Sequence, residues 1–183
     1  MDGHINVEST YGVGSTFSFE IPQKIANPSP IGNIEDYDYS NYVADEDYMF
    51  RAPEARILIV DDNELNREVA KALFEPIGLM IDEADDGLRA VNMAKDTLYD
   101  LILMDNLMPV MNGEEAARAI RSMDDSVNKD TPIIALTADA VSGVKEKLIE
   151  SGMNDFISKP VNIAIACTKM KKYISQDKIK PCI

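Results

Sequence analysis

Residues 55–175 predict a doubly wound α/β fold, a five-stranded parallel sheet with helices on both faces, and three observations lead there. Short apolar runs alternate with longer amphipathic segments from Arg56 onward, the order of a β-α-β-α chain whose crossovers are right-handed. The runs are nearly continuous in apolar residues, as strands covered on both faces must be. Turn formers punctuate them: Gly78 and Gly152 stand where helices have to end, and Pro132 stands where a strand can begin.

In chain order, "HINVES" and "STFSFEIP" alternate apolar and polar residues around "TYGVG" and predict a hairpin. Two strands alone are marginal in water, so this hairpin reads as the edge of a larger sheet. Residues 23–54 follow, with "NPSPIGNIEDYDYSNYVADEDYMF" showing neither helical nor strand period. Pro, Gly and acids there bury too little apolar surface to offset ordering entropy, which predicts an acidic, disordered linker. Strands are then expected at "RILIV" (56–60), "LMIDEA" (79–84), "LILM" (101–104), "PIIALT" (132–137) and "DFISK" (155–159). Helices are expected at 64–75, 87–96, 113–122, 142–150 and 162–174. In the last of these Ile163, Ala166, Met170, Tyr173 and Ile174 form one stripe, with Asn162 placed to cap it. On the first, Val69, Ala70, Leu73 and Asn66 are expected to face the core, while Leu65, Glu68 and Ala72 fall on another face. Residues 176–183 remain as a tail.

Composition excludes several classes. With 183 residues, 45% of them apolar, the chain can bury one domain of roughly 120 residues and little more. A net charge of −14 argues against a nucleic-acid surface, which needs clustered Lys and Arg. The acidity is uneven: residues 1–55 carry net −8 and residues 56–183 net −6. Cys167 and Cys182 make neither a disulfide framework nor a zinc set, consistent with a reducing, cytoplasmic setting. No apolar run is long enough to span a membrane, and no basic-then-apolar signal pattern opens the chain.

Function in such a sheet collects outside the carboxyl ends of the strands, where strand order reverses. The first of the five strands ends on Asp61 and Asp62, and the third on Asp105. If the order is 2-1-3-4-5 these ends are neighbours and three carboxylates share one crevice. Like charges so close call for a cation, and Mg²⁺ suits an all-oxygen site. The fourth strand adds Thr137 and the fifth Lys159. A hydroxyl and an ammonium beside a carboxylate-bound cation make a site for a phosphoryl dianion.

"ILIVDDNELNREV", "DLILMDNLMPVMNG", "PIIALTADA" and "DFISKPV" resemble the receiver domain of two-component signalling across residues 55–175. The resemblance implies a flavodoxin-like fold with the 2-1-3-4-5 order, and it makes Asp105 the nucleophile that takes a phosphoryl group from phosphohistidine. It further implies Asp62 as a direct Mg²⁺ ligand, Asp61 as an outer-shell one, and the carbonyl of Leu107 as another direct ligand. Thr137 would hydrogen-bond the phosphoryl group, Lys159 would pair with it, Phe156 stands at the aromatic switch position, and Lys159-Pro160 is expected to be cis. Leu107 and Asp139 flank the path of hydrolytic water and would tune phosphoryl loss, which is expected to be slow.

The stretch "DGHINVESTYGVGSTFSFEIP" in residues 1–22 resembles the last glycine box and closing strands of a histidine-kinase ATP-binding domain. The family's other boxes and its phosphoacceptor histidine are absent, and the only histidine, His4, begins a predicted strand. The chain thus reads as the C-terminal part of a hybrid histidine kinase, not itself an enzyme beyond its own phosphorylation and dephosphorylation. Its expected partners are a histidine kinase and a helical histidine phosphotransfer protein docking at Leu65, Glu68 and Ala72, with no nucleic acid and no membrane insertion. Two other classes compete. A haloacid-dehalogenase-like phosphatase carries a second Asp two residues after its nucleophile, where this chain has Leu107; a docking-only receiver lacks the acid pair, the Thr or the Lys, all present here.

Overall fold

The computed structural model describes residues 3–22, 49–123, 126–138 and 144–181, whose residues fall in two units, within 1–39 and within 40–183. The expected linker is therefore described only from Met49, and Asp139 and Cys182 lie outside the described residues.

The first unit is a hairpin of β1 (His4–Thr10) and β2 (Gly14–Glu20), antiparallel, with Ile5 opposite Phe19 and Val7 opposite Phe17. The two-residue alternation puts these four apolar side chains on one face, and all of them are exposed. The turn closes where Val13 N–H donates to the Thr10 carbonyl.

The second unit holds β3 (Arg56–Val60), α1 (Glu64–Phe74), β4 (Met80–Ala84), α2 (Gly87–Asp96), β5 (Leu101–Asp105), α3 (Gly113–Ser122), β6 (Ile133–Thr137), α4 (Val144–Glu150), β7 (Asp155–Ser158) and α5 (Ile163–Tyr173). All four strand pairings are parallel, and the order is β4-β3-β5-β6-β7, the expected 2-1-3-4-5. Side chains alternate across the sheet and build two cores. Ile57, Ile59, Leu101, Leu103, Ile134 and Leu136 pack with α1 and α5 through Ala70, Phe74, Ala166 and Met170. Leu58, Val60, Ile102, Met104, Ile133 and Ala135 pack with α2, α3 and α4 through Ala90, Ala117, Ile120 and Leu148. Runs that are apolar at every position are thus read by two layers at once.

Local chemistry sets the helix ends. Asn63 accepts from Leu65 N–H, Asp86 from Arg89 N–H, and Asn162 from Ala164 and Ile165 N–H. Asn112 and Glu115 form a reciprocal capping box at the start of α3. After α1 a 3₁₀ turn over Glu75–Ile77 ends on Gly78 at φ 77°, a left-handed position that suits glycine.

Three expectations are corrected. On α1 the core stripe is Ala70 and Phe74 with half-buried Arg67 and Leu73, whereas Val69 is 50% exposed and Asn66 is exposed. The helix is rotated so that the bulky Phe74 fills the core, and Val69 joins Leu65 outside. Second, residues 49–54 of the expected linker belong to the domain: Phe50 and Ala52 are buried, and Ala52 N–H donates to the Ile77 carbonyl. Third, residues 176–181 are not a loose tail. Lys180 exchanges backbone hydrogen bonds with Arg51 at 2.9 and 2.7 Å, and Lys178 Nζ reaches both oxygens of Asp100 at 2.7 and 2.9 Å. Backbone pairing and the apolar side chain of Phe50 hold these flanks where composition suggests none.

Candidate functional site

Sheet register assembles the site. Val60 pairs with Met104, so the next residues, Asp61 and Asp105, arrive side by side at the ends of β3 and β5. Asp105 lies opposite Leu136 in β6, which ends on Thr137, and Thr137 pairs with Ser158, one residue before Lys159. Lys159 N–H donates to the Thr137 carbonyl at 2.7 Å. The Lys159-Pro160 peptide is cis, as expected.

Lys159 joins the acids. Its Nζ lies 2.7 Å from Asp61 Oδ2 and 2.8 Å from Asp105 Oδ2. Asp61 is 1% exposed and Asp105 is buried, while Asp62 faces solvent. One carboxylate oxygen from each of Asp61, Asp62 and Asp105 falls within 4.8 Å of the others, a donor set that fits a hard divalent cation. Burial pushes the Asp105 carboxyl above its ordinary range and the Asp61 charge adds to this, against the opposing pull of Lys159. Burial works against the Lys159 ammonium as well, but its hydrogen bonds to Asp105 and Asp61 outweigh that and raise its pKa.

The segment after Asp105 is closely fitted. A Cβ at Gly113 would collide with the Asp105 carbonyl oxygen, so the start of α3 can approach the site only with glycine there. Leu107 is 75% exposed, and its N–H makes a long 3.4 Å contact to Asp105 Oδ1. Thr137 is buried at the strand end. Phe156 is half-buried against the second core, with Lys169 Nζ 4.9 Å from its ring centroid. Leu65, Glu68 and Ala72 are all exposed on α1, as expected. Leu65 and Val69 line an apolar groove with Leu73, Pro160 and Val161 that runs beside Asp61 and Lys159.

Asn66, expected to face the core, and Arg67, which sequence reasoning did not single out, both meet Asp61. Asn66 Nδ2 donates to both oxygens of Asp61 at 3.0 and 3.2 Å, and Arg67 Nη1 donates to the Asp61 carbonyl at 2.7 Å. The available signal was their spacing: five and six residues past a strand-end acid, a helix has completed the turn that brings polar side chains back over that acid.

Comparison with known proteins is decisive for the family, because the response regulator receiver domain matches residues 57–171. The chain belongs to that family. Among relatives of this receiver is the sensor protein EvgS of Escherichia coli, 33% identical over 177 residues, which cover 96% of this chain and 13% of that one. The chain spans 8% to 21% of the length of the histidine-kinase relatives it resembles. A similar solved structure is the receiver domain of the sensor histidine kinase PA1611 of Pseudomonas aeruginosa, with a magnesium ion in its active-site cleft. It is 37% identical, with a TM-score of 0.60, covering 65% of this chain and 96% of that one. Another is a co-crystal of the Saccharomyces cerevisiae phosphotransfer protein Ypd1 with the receiver domain of Ssk1. It is 31% identical, with a TM-score of 0.61, covering 68% of this chain and 90% of that one.

Proposed function

We propose that this receiver accepts a phosphoryl group on Asp105 from a phosphohistidine and passes it to a histidine phosphotransfer protein. The observation that carries the reading is the placement of Lys159 between Asp105 and Asp61, beside the exposed Asp62. An Asp105 carboxylate oxygen attacks phosphorus; the P–N bond to the donor imidazole breaks as the P–O bond forms, and the imidazole nitrogen leaves and is protonated. Asp62, Asp105 and the Leu107 carbonyl would hold Mg²⁺, with Asp61 one shell out, and bound Mg²⁺ supplies charge neutralisation for the transferring phosphoryl oxygens. Lys159 would exchange its contact with Asp105 for one to the phosphoryl group, and Thr137 would donate its hydroxyl to it. Phe156 would follow Thr137 inward.

Asp105→Asn keeps the shape of the side chain and loses the nucleophile, so acetyl phosphate with Mg²⁺ labels the parent stoichiometrically and the variant not at all. Full labelling of the variant would contradict the assignment. A phosphatase would instead turn over many phosphate esters, and a docking module would take no label.

The relay partner docks on α1. The apolar groove beside Lys159, with Leu65 64% exposed at its rim, fits a partner helix that carries a histidine to Asp105. Leu65→Glu leaves acetyl-phosphate labelling unchanged and cuts exchange with the phosphotransfer protein at least tenfold, roughly 1.4 kcal/mol. If exchange survives intact, the docking face is elsewhere. The β1–β2 hairpin, whose apolar face is exposed, fits the closing edge of a kinase ATP-binding sheet, a reading supported by the extent of the EvgS similarity. The parent protein is then a hybrid histidine kinase, and this chain itself catalyses only its own phosphorylation and dephosphorylation.

A further inference from the structure

We infer that Asn66 and Arg67 form a positioning clamp that aims the Asp61–Asp62 pair for metal binding, and that Glu83 on the edge strand holds the clamp in place. The inference rests on the receiver reading above.

Asp61 is gripped at every polar group it has. Its N–H donates to the Ala84 carbonyl at 3.2 Å, and its carbonyl accepts from Arg67 Nη1 at 2.7 Å. Its carboxylate accepts from Asn63 N–H at 2.9 Å, from Asn66 Nδ2 and from Lys159 Nζ. With both oxygens so engaged, Asp61 has little capacity left for direct ligation and acts as the anchor for its neighbour. The Asp61 carbonyl belongs to the planar peptide that leads into Asp62, so fixing that oxygen fixes the plane from which Asp62 projects.

Arg67 is suited to this and lysine is not. Its Nε reaches Glu83 Oε2 at 3.3 Å while Nη1 holds the Asp61 carbonyl, two partners bound by one rigid fork. Lys71 takes the other Glu83 oxygen at 2.7 Å. Glu83 thereby does two things. It orients the guanidinium, and it supplies a competing carboxylate, so that the arginine does not swing into the three-carboxylate crevice and occupy the cation's place. Asn66, being neutral, satisfies the Asp61 oxygens without adding charge to the crevice.

The test is a Mg²⁺ titration of the full chain by calorimetry, with acetyl-phosphate labelling followed against Mg²⁺ concentration. Arg67→Met is expected to weaken Mg²⁺ binding about tenfold, and the loss falls on the half-saturating Mg²⁺ concentration for labelling and not on its plateau. Arg67→Lys does not restore affinity, because it cannot hold both partners. Glu83→Gln weakens binding about threefold in the parent and has no further effect in Arg67→Met, since it acts through Arg67. Mg²⁺ affinity within twofold of the parent in Arg67→Met overturns the clamp. So do equal, additive losses in the double variant, and so does a lowered plateau with unchanged half-saturation. If Arg67→Met does not fold, Glu83→Gln decides, and unchanged affinity there overturns the clamp. A parent that binds no Mg²⁺ overturns the receiver reading along with it, whereas a parent that binds Mg²⁺ beside a variant that binds it equally overturns the clamp alone.

Discussion

Lys159 keeps Asp61 and Asp105 in one ion-paired group, and the balance within it sets what the site can do before any phosphoryl donor arrives. Other single residues near it carry their own consequences. Val110, in the loop between β5 and α3, has φ 67° and is exposed, a left-handed conformation that a β-branched residue adopts only under strain. Val110→Asn should therefore raise the unfolding free energy by about 1 kcal/mol, read from urea denaturation. An unchanged midpoint would mean that the loop is not strained there. Asp155 offers a pH test away from the crevice. Burial alone would push its carboxyl up, but hydrogen bonds from Lys169 and Phe156 N–H, with the charges of Lys169 and Lys172, hold it below the ordinary carboxylate range. A depressed carboxyl contributes stability that is fully present above its unfolded pKa and is lost as pH falls through the lower folded value. Asp155→Asn is thus expected to reduce stability at neutral pH and to flatten the acid limb of the stability curve. An acid limb as steep as the parent's would remove Asp155 from that role.

At the scale of elements, α1 has two usable faces. Ala70 and Phe74 enter the core, while Leu65 and Val69 line the groove beside Lys159. Phe74→Ala leaves a cavity under the sheet and is expected to cost about 3–5 kcal/mol in denaturant unfolding. Val69→Ser, on the exposed face, should change stability by no more than about 0.5 kcal/mol. Equal costs at the two positions would show that the groove is a packed part of the domain. The same contrast explains why the helix phase expected from the sequence was rotated from the observed one. Leu65, Val69, Ala70, Leu73 and Phe74 make a broad apolar arc, and periodicity alone does not say which edge of it meets the sheet. The sheet chooses the edge with the aromatic ring, which fills the most volume.

At the scale of the whole second unit, residues 51–54 and 178–180 are tied together near the amino ends of the strands, away from the carboxylates. Arg51 pairs with Lys180, Lys180 Nζ meets Glu54 at 2.6 Å, and Lys178 meets Asp100 at the start of β5. Phe50 is 1% exposed beneath this clasp. A chain cut to residues 55–175 should accordingly be less stable than one of residues 49–181 by several kcal/mol, with Phe50→Ala alone accounting for about 3–5 kcal/mol in urea unfolding. Equal unfolding midpoints for the two chains would mean that the clasp does not stabilise the domain.

The strand and helix order, the cap at Asn162, and the gathering of Asp61, Asp62, Asp105, Thr137 and Lys159 at strand ends were legible in the sequence. Such features follow from short-range rules: apolar runs bounded by turn residues, and polar residues where those runs stop. It took the packed fold to settle which face of α1 is buried, that Glu83 meets Arg67, and that residues 49–54 and 176–181 belong to the domain. Each of these depends on a partner far away along the chain: the sheet under α1, Glu83 beside Arg67, and Lys180 across from Arg51. No local pattern encodes such a partner, because the pairing exists only once the strands between have been laid side by side.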